Sequence, residues 1–335
     1  MKTILVVTDN LRTQINGVVT TFKNLEKTAL SDGYNIVYID PGQFPHISAL
    51  GYPEVKLSWP KKIGKKIEEI NPDHIHIATE GPLGLAARLY LDRKKYRYNT
   101  SYHTKFPEFM RKLYAIPESW TYNYVRWFHK HSGKVLTTTE TMVKELKHHG
   151  FKGEILPWSR GVDREFLKPD GPCYQKSSYN KLPVVLCVGR VSEEKNLDDL
   201  CILQHEFEIR IVGDGPYLKE LSQRYPAVIF LGYKQGKDLA NEYACADVFC
   251  FPSRVDTFGI VMIEALSLGT PIAAYKVPGP IDIIEEGING HMSDDLAKSI
   301  RIAMHYDRNR VQESSMKWTW ENCWNIFKEN LIPVI

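Results

Sequence analysis

The sequence predicts an α/β protein built from two doubly wound, Rossmann-like domains with a cleft between them. Short apolar runs rich in Val and Ile alternate with helix-like segments throughout, the pattern of parallel strands joined by crossover helices. A chain of 335 residues is long for one domain and comfortable for two. The alternation is broken once, from Lys168 to Pro183, where Pro169, Gly171, Pro172, Ser177 and Ser178 give a linker composition. The expected division is therefore a first domain over 1–167, a linker over 168–182, a second domain over 183–316, and a final helical segment over 317–335.

In the first half the strand-like runs are Ile4–Val7, Ile36–Ile39, His74–Ile77, Thr100–Tyr102 and Val135–Thr138. In the second they are Val184–Val188, Ile209–Val212, Val228–Leu231, Val248–Phe251 and Ile272–Ala274. With 43% apolar and 25% charged residues the chain has the composition of a globular protein, and no apolar run reaches membrane-spanning length. The start turns polar too quickly for a signal peptide and reads as a buried strand. Six cysteines without a C-x-x-C pair, with Cys187, Cys245 and Cys250 in or beside apolar runs, predict reduced core thiols in a cytoplasmic protein. Net charge is +3, yet residues 1–165 carry 25 basic against 17 acidic side chains. Such an excess suits an anionic partner (a lipid surface, a phosphorylated acceptor or nucleic acid), or is dispersed and aids solubility.

Pro252 to Gly269 carries the strongest chemical signal. The buried run Val248–Phe251 leads into a polar turn and then an apolar helix from Ile260 to Leu268, with Asp256 in the turn and Glu264 in the helix. Ionised carboxylates only accept hydrogen bonds, and sugar hydroxyls supply many donors. After Val184–Val188 comes Gly189-Arg190, with Lys195 five residues on. An Arg and a Lys following a strand-end glycine can clamp a diphosphate, Arg bidentately and Lys as a point charge. Ile209–Val212 runs into Gly213-Asp-Gly215-Pro216, but Leu218 stands where a dinucleotide fingerprint needs its third glycine, which argues against an NAD site. The loop from Gly232 and Tyr233 to Gly236 can expose backbone to a nucleotide base.

In the first half, Asn16-Gly17-Val18 opens a helix whose positive end suits a phosphate. His74 and His76 share a strand face but lack a third clustered ligand. His103 follows the strand Thr100–Tyr102, a position fit for a ligand or proton role. From Pro107 to His131 aromatic and basic residues interleave, including Phe109, Arg111, Tyr114, Trp120, Trp127 and Lys130. That pattern fits a membrane interface, an acceptor groove, single-stranded nucleic acid, or core aromatics with a solvated basic side. The chain has no D-x-D pair, Walker loop or G-x-S-x-G elbow.

Taken together these residues resemble family 4 retaining glycosyltransferases of the GT-B fold over nearly the whole chain. The resemblance rests on Gly189-Arg190-x4-Lys195-Asn196, Gly213-Asp-Gly-Pro216 and Asp256-x7-Glu264 in the second half. In the first half, Gln14-x-Asn16-Gly17-Val18, Ala78-Thr-Glu-Gly-Pro-Leu-Gly84, Tyr102-His103-Thr-Lys-Phe-Pro-Glu108 and Arg160-Gly-Val-Asp163 are similar to a narrower group. That group comprises GDP-mannose-dependent α-mannosyltransferases acting on glycolipids and sulfoquinovosyl-diacylglycerol synthase-like enzymes. The resemblance implies that Arg190 and Lys195 neutralise the leaving diphosphate, with Gly17 amides assisting. It further implies that Glu264 takes the ribose hydroxyls, that Asp256 with Phe258 and Gly259 amides holds the donor sugar, and that His103 meets the sugar near its anomeric carbon. Gly213, Gly232, Tyr233 and Ile260 complete the implied nucleotide-sugar site.

Two departures stand beside it: the chain is short after Gly290, and Cys173–Asn180 differs from the narrower group. The last segment, Trp318–Leu331, reads as a helix of the kind that in this fold crosses back to the first domain. The resulting expectation is a metal-independent, retaining hexosyltransferase using GDP-mannose, with a UDP-hexose as the other donor. Its acceptor is a glycolipid, or else a soluble or macromolecular one such as a modified nucleic-acid base. It is expected in the cytoplasm, with the basic first domain at the membrane's inner face. A catalytically idle nucleotide-sugar-binding protein is the expectation of another class.

Overall fold

The computed structural model describes residues 1–14, 16–49, 52–170 and 182–335. The chain divides into two compact units, one of Met1–Arg160 with Trp320–Ile335 and the other of Gly161–Thr319. Most of the expected linker, including Cys173–Asn180, lies outside the described residues.

The first unit runs β1 (Lys2–Val7), α1 (Gly17–Ser31), β2 (Tyr34–Ile39), β3 (His46–Ala49), β4 (Tyr52–Ser58), α2 (Ile63–Ile70), β5 (His74–Ile77) and α3 (Pro82–Lys94). It continues through β6 (Asn99–Tyr102), α4 (Phe106–Tyr114), α5 (Glu118–His129), β7 (Lys134–Thr137), α6 (Glu140–His148) and β8 (Glu154–Pro157). Its parallel sheet has the order β2-β1-β5-β6-β7-β8. β1 is apolar at every position from Ile4 to Val7 because helices cover both faces: Leu5 and Val7 enter one core, Ile4 and Val6 the other. α1 starts where the Asn16 side chain accepts from the Val18 and Val19 amides, and it buries Val19, Phe22, Leu25 and Ala29.

The second unit runs β9 (Val184–Val188), α7 (Leu197–Cys201), β10 (Glu208–Val212), α8 (Leu218–Arg224), β11 (Ile229–Gly232), α9 (Gly236–Cys245) and β12 (Val248–Phe251). It ends with α10 (Ile260–Ser267), β13 (Ile272–Ala274), α11 (Pro280–Ile283), β14 (Gly290–Met292), α12 (Leu296–Ala303) and α13 (Arg308–Ser314). Its sheet order is β11-β10-β9-β12-β13-β14, and Val184 and Leu186 again face one core while Val185 and Cys187 face the other.

The last helix, α14 (Trp320–Glu329), belongs to the first unit. Trp324 Nε1 and Lys328 Nζ both donate to Asp32 Oδ2, at 2.9 and 2.6 Å. The tail after it is sewn to strand ends by Asn99 Nδ2 to the Asn330 carbonyl and by the Arg97 amide to the Val334 carbonyl, both 2.7 Å.

Every strand run read from the sequence forms a strand, with ends shifted by a residue or two; the second-half run expected at Val228–Leu231, for example, is Ile229–Gly232. Four strands were not anticipated. β8 and β14 are short edge strands, and β3 and β4 make a separate antiparallel hairpin. The thiol expectation needs a correction. Cys187, Cys201, Cys250 and Cys323 are free and buried, but Cys245 is disulfide-bonded. It closes α9 at a half-buried position, before the buried run begins at Val248.

Candidate active site

The loop 189–196 leaves β9 and the loop 252–259 leaves β12, so the two flank the place where strand order reverses in the second unit. Open α/β sheets bind ligands outside the carboxyl ends of their strands at such a point. Lys195 and Asp256 meet there: Nζ donates to Oδ1 at 2.7 Å and to Oδ2 at 2.9 Å. Burial pushes the Asp256 carboxyl up, and the Lys195 ammonium more than offsets it, so the carboxyl is held below the usual range. Asn196, at φ 54°, turns the chain from Lys195 directly into α7.

Glu264 lies on α10, the helix that follows Asp256. Its neighbours explain its half-burial: Met262, Ile263, Ala265 and Leu266 are all inside the core. Tyr243 Oη donates to its Oε2 at 2.9 Å. Burial raises the Glu264 carboxyl despite that bond. No side chain caps α10; its N-cap is Gly259, at φ 89°. A Cβ at Gly259 would stand 2.8 Å from Met262 Cε and 2.9 Å from Phe251 Cζ, so both conformation and space require glycine. Phe258 is buried edge-on to Trp318, centroids 5.4 Å apart, and Ile260 opens the helix.

The other glycines of this edge touch one another. A Cβ on Gly213 would fall 1.9 Å from the Gly189 carbonyl oxygen, and the Gly213 amide donates to the Gly232 carbonyl at 2.8 Å. The carboxyl ends of β9, β10 and β11 thus present close-packed backbone, with Arg190 beside it and Tyr233 exposed.

Gly17 and His103 belong to the first unit. Gly17 is the exposed first residue of α1, beside the Asn16 cap. His103 is held at both ring nitrogens: Arg160 Nη2 donates to Nδ1 at 2.9 Å, and Ser101 Oγ lies 2.7 Å from Nε2. A guanidinium has only donors, so Nδ1 must accept and Nε2 carries the ring proton. Burial, with Arg160, His76 and His129 nearby, keeps this imidazole neutral by lowering its pKa far below the usual value. Arg160 is itself buried; it donates to the Trp158 carbonyl at 2.7 Å, and burial brings it down to about 10.

Three partners were not legible as such in the sequence. Tyr243 and Ser101 carry no motif. Asp9 explains the Thr79–Gly84 motif: its Oδ1 accepts from the Leu83 amide and its Oδ2 from Thr79 Oγ1, both at 2.7 Å. A Cβ at Gly81 would strike the Asp9 Cγ at 2.5 Å, and one at Gly84 would strike the Thr79 carbonyl oxygen at 1.9 Å. Burial raises the Asp9 carboxyl to about 6. The two strand histidines bond inside the fold: His74 Nδ1 meets the Ile332 carbonyl at 2.8 Å, and His76 Nε2 meets Ser101 Oγ at 2.9 Å. Among the described residues no three His, Cys, Asp or Glu side chains group as a metal site. The aromatic and basic segment is mixed. Tyr122 and Phe128 are core, Arg88 stacks on Trp127 at 3.8 Å, and Trp120 is 70% exposed.

A family model described as Glycosyltransferase Family 4 matches residues 15–166, and one described as Glycosyl transferases group 1 matches residues 174–315. The chain belongs to glycosyltransferase family 4. This glycosyltransferase is 28% identical to the GDP-mannose-dependent alpha-mannosyltransferase of Corynebacterium glutamicum, over 93% of this chain and 82% of that protein. It is 27% identical to sulfoquinovosyl transferase SQD2 of Arabidopsis thaliana, over 79% of this chain and 58% of that protein. Among solved structures it superposes on sucrose-phosphate synthase from Thermosynechococcus elongatus with a TM-score of 0.78 at 16% identity, covering 98% of each chain. Anabaena HepE in complex with UDP and glucose gives 0.75 at 18% identity, covering 98% of this chain and 99% of that one. The structural likeness establishes the GT-B fold: two parallel-sheet units, each doubly wound. The family makes the protein an enzyme that transfers a glycosyl group from a nucleotide sugar.

Proposed function

We propose that this glycosyltransferase moves mannose from GDP-mannose to a hydroxyl of a glycolipid, with retention and without a metal. The donor reading is supported by the likeness to GDP-mannose-dependent mannosyltransferases along nearly the whole chain. The acceptor reading is supported by SQD2 and by the alpha-monoglucosyldiacylglycerol synthase of Streptococcus pneumoniae, 25% identical over 89% of this chain. The observation that carries the mechanism is the Lys195–Asp256 contact at the switch point, with Glu264 on the helix behind it.

Breaking the glycosyl–phosphate bond builds negative charge on the leaving diphosphate and positive charge on the sugar. Lys195 and Arg190 stabilise the diphosphate as fixed cations. Asp256 orients Lys195 before the donor arrives and then accepts from the sugar's hydroxyls, to whose oxygens the Phe258 and Gly259 amides donate. Glu264, steadied by Tyr243, accepts from the ribose hydroxyls. Gly213, Gly232, Tyr233 and Ile260 form the floor on which the nucleotide rests. His103, neutral, lies against the sugar, and Gly17 adds amide donors to the phosphates. A donor phosphate oxygen takes the acceptor's proton on the face that the diphosphate leaves, so the configuration is kept without a protein nucleophile.

A thermal-shift series with GDP, UDP, ADP and their hexose conjugates tests the donor. A ligand at about 100 times its Kd stabilises by about 2.7 kcal/mol, so GDP and GDP-mannose should stand out. A UDP-specific shift would discard mannose, and no shift with any nucleotide would discard the site. Transfer of labelled mannose to a lipid extract, undiminished by a chelator, is the expected second result.

A further inference from the structure

The β3–β4 hairpin stands outside the parallel sheet and leaves large apolar side chains exposed. Its register pairs His46 with Ser58, Ile47 with Leu57 and Ser48 with Lys56, and the Trp59 amide continues the ladder to the Pro45 carbonyl at 2.9 Å. Side chains alternate along a strand, so Ile47, Leu57 and Trp59 share one face, and His46, Ser48, Lys56 and Ser58 share the other. A sheet with one face on a core turns its apolar side inward. Here the polar face is covered only at Ser58, with His46 and Ser48 exposed, and on the other face Ile47 is 54%, Leu57 39% and Trp59 53% exposed. Three large apolar side chains together on so small a face are not the scattered exposure that any surface shows.

The charge around this face is one-sided. From Lys56 to Lys66 the sequence holds five lysines and no acid. Lys61 and Lys62 directly follow Trp59-Pro60 and are exposed. Lys56 Nζ donates to Ser48 Oγ at 2.7 Å, Lys65 pairs with Glu69 at 3.5 Å, and Lys66 lies 5.4 Å from the Phe44 ring. Exposed Trp and aliphatic groups rimmed by ammonium groups match the boundary layer of a bilayer, where rings and methyls enter and lysines stay at the headgroups.

We propose that this hairpin and the lysines after it dock the first unit onto an anionic lipid surface, with Ile47, Leu57 and Trp59 entering the interfacial layer. A second copy of the chain would set the same five lysines against each other. A nucleic acid would answer the lysines but offers nothing to Ile47 and Leu57. The anionic bilayer answers both. The docking rests on the lipid-acceptor reading for its use in the reaction, but vesicle binding needs neither donor nor turnover, so each can fail alone.

The test is co-sedimentation of the full chain with phosphatidylcholine vesicles, with and without about 30 mol% phosphatidylglycerol. The expected result is binding to the anionic vesicles only, weakened by salt, with tryptophan fluorescence quenched by brominated lipid. Ile47→Ser with Leu57→Ser and Trp59→Ser should weaken binding at least about tenfold, as should Lys61→Glu with Lys62→Glu. Trp59→Leu should keep binding and lose most of the quenching. All of these variants should retain the wild-type circular dichroism and nucleotide-dependent thermal shift. No vesicle binding by the wild type, full binding by the triple variant, or loss only with Trp120→Ser would overturn the proposal. So would a hairpin-dependent dimer, or single-stranded DNA binding that the triple variant abolishes, in place of vesicle binding.

Discussion

Both sheets reverse their strand order once, between β1 and β5 in the first unit and between β9 and β12 in the second. At the first reversal the chain supplies its own anion. The Asp9 carboxylate takes the Leu83 amide at the start of α3; Gly81 is small because Asp9 lies against it, and Gly84 because the Thr79 carbonyl does. At the second reversal α10 begins at Gly259 with no side-chain cap, and the nearby carboxylate, Asp256, is turned onto Lys195 instead. A helix start needs acceptors for its amides, and an internal carboxylate meets that need as well as a ligand's phosphate does. Two crevices of one topology thus differ in where the carboxylate goes: in the first Asp9 closes onto the start of α3, and in the second Asp256 pairs with Lys195 while no side chain caps α10.

The largest expected effect separates the two directly. Lys195→Ala or Glu264→Ala should lower kcat for glycosyl transfer by at least about 100-fold, whereas Asp9→Asn should leave it within a few-fold. Equal losses in steady-state assays would erase the distinction.

Next come the glycines. Gly213→Ala drives a Cβ to 1.9 Å from the Gly189 carbonyl oxygen at φ 139°, and Gly84→Ala meets the Thr79 carbonyl oxygen at the same distance. Each should destabilise its unit by about 3 kcal/mol or more in denaturant unfolding. Only Gly213→Ala should also abolish the nucleotide-dependent thermal shift.

A smaller effect concerns pH. Asp9 titrates at about 6 when folded, against about 4 in an unfolded chain. The folded state therefore holds the extra proton between those values. Its stabilising effect is full below about pH 4 and is lost as the pH rises through about 6. The Tm of wild type minus that of Asp9→Asn should fall by a few degrees between about pH 4 and 6, and a constant difference would mean that Asp9 is not raised. The smallest expected change is none. Because burial, with Arg160 beside it, holds His103 neutral, its ring nitrogens should show no change of protonation by NMR between about pH 6 and 8. kcat/KM should show no inflection from it there.

The sequence was most informative where local chemistry and function coincide. Buried parallel strands are continuous apolar runs, so β1, β9 and β12 could be read from composition alone. Asp256 and Glu264 were conspicuous because a carboxylate in an apolar helix, eight residues beyond one in a polar turn, has few structural reasons to be there. Arg190 and Lys195 stood out for the same reason beside Gly189. The hairpin was missed because Ile47, Leu57 and Trp59 are spaced by pairing across two strands, which no single run displays. Cys245 was misread because nearness to an apolar run is not burial within it.

By itself, then, the sequence determined the α/β class and ten of the strands, and it singled out the residues proposed to bind a nucleotide sugar, because periodicity and residue chemistry are local properties. Tertiary structure alone decided that Lys195 meets Asp256 across 61 positions, that Tyr243 steadies Glu264, that Arg160 fixes the proton of His103, and that Asp9 closes the first crevice. Each of those contacts joins residues brought together only by strand order, and strand order follows from how two sets of helices cover both faces of a sheet.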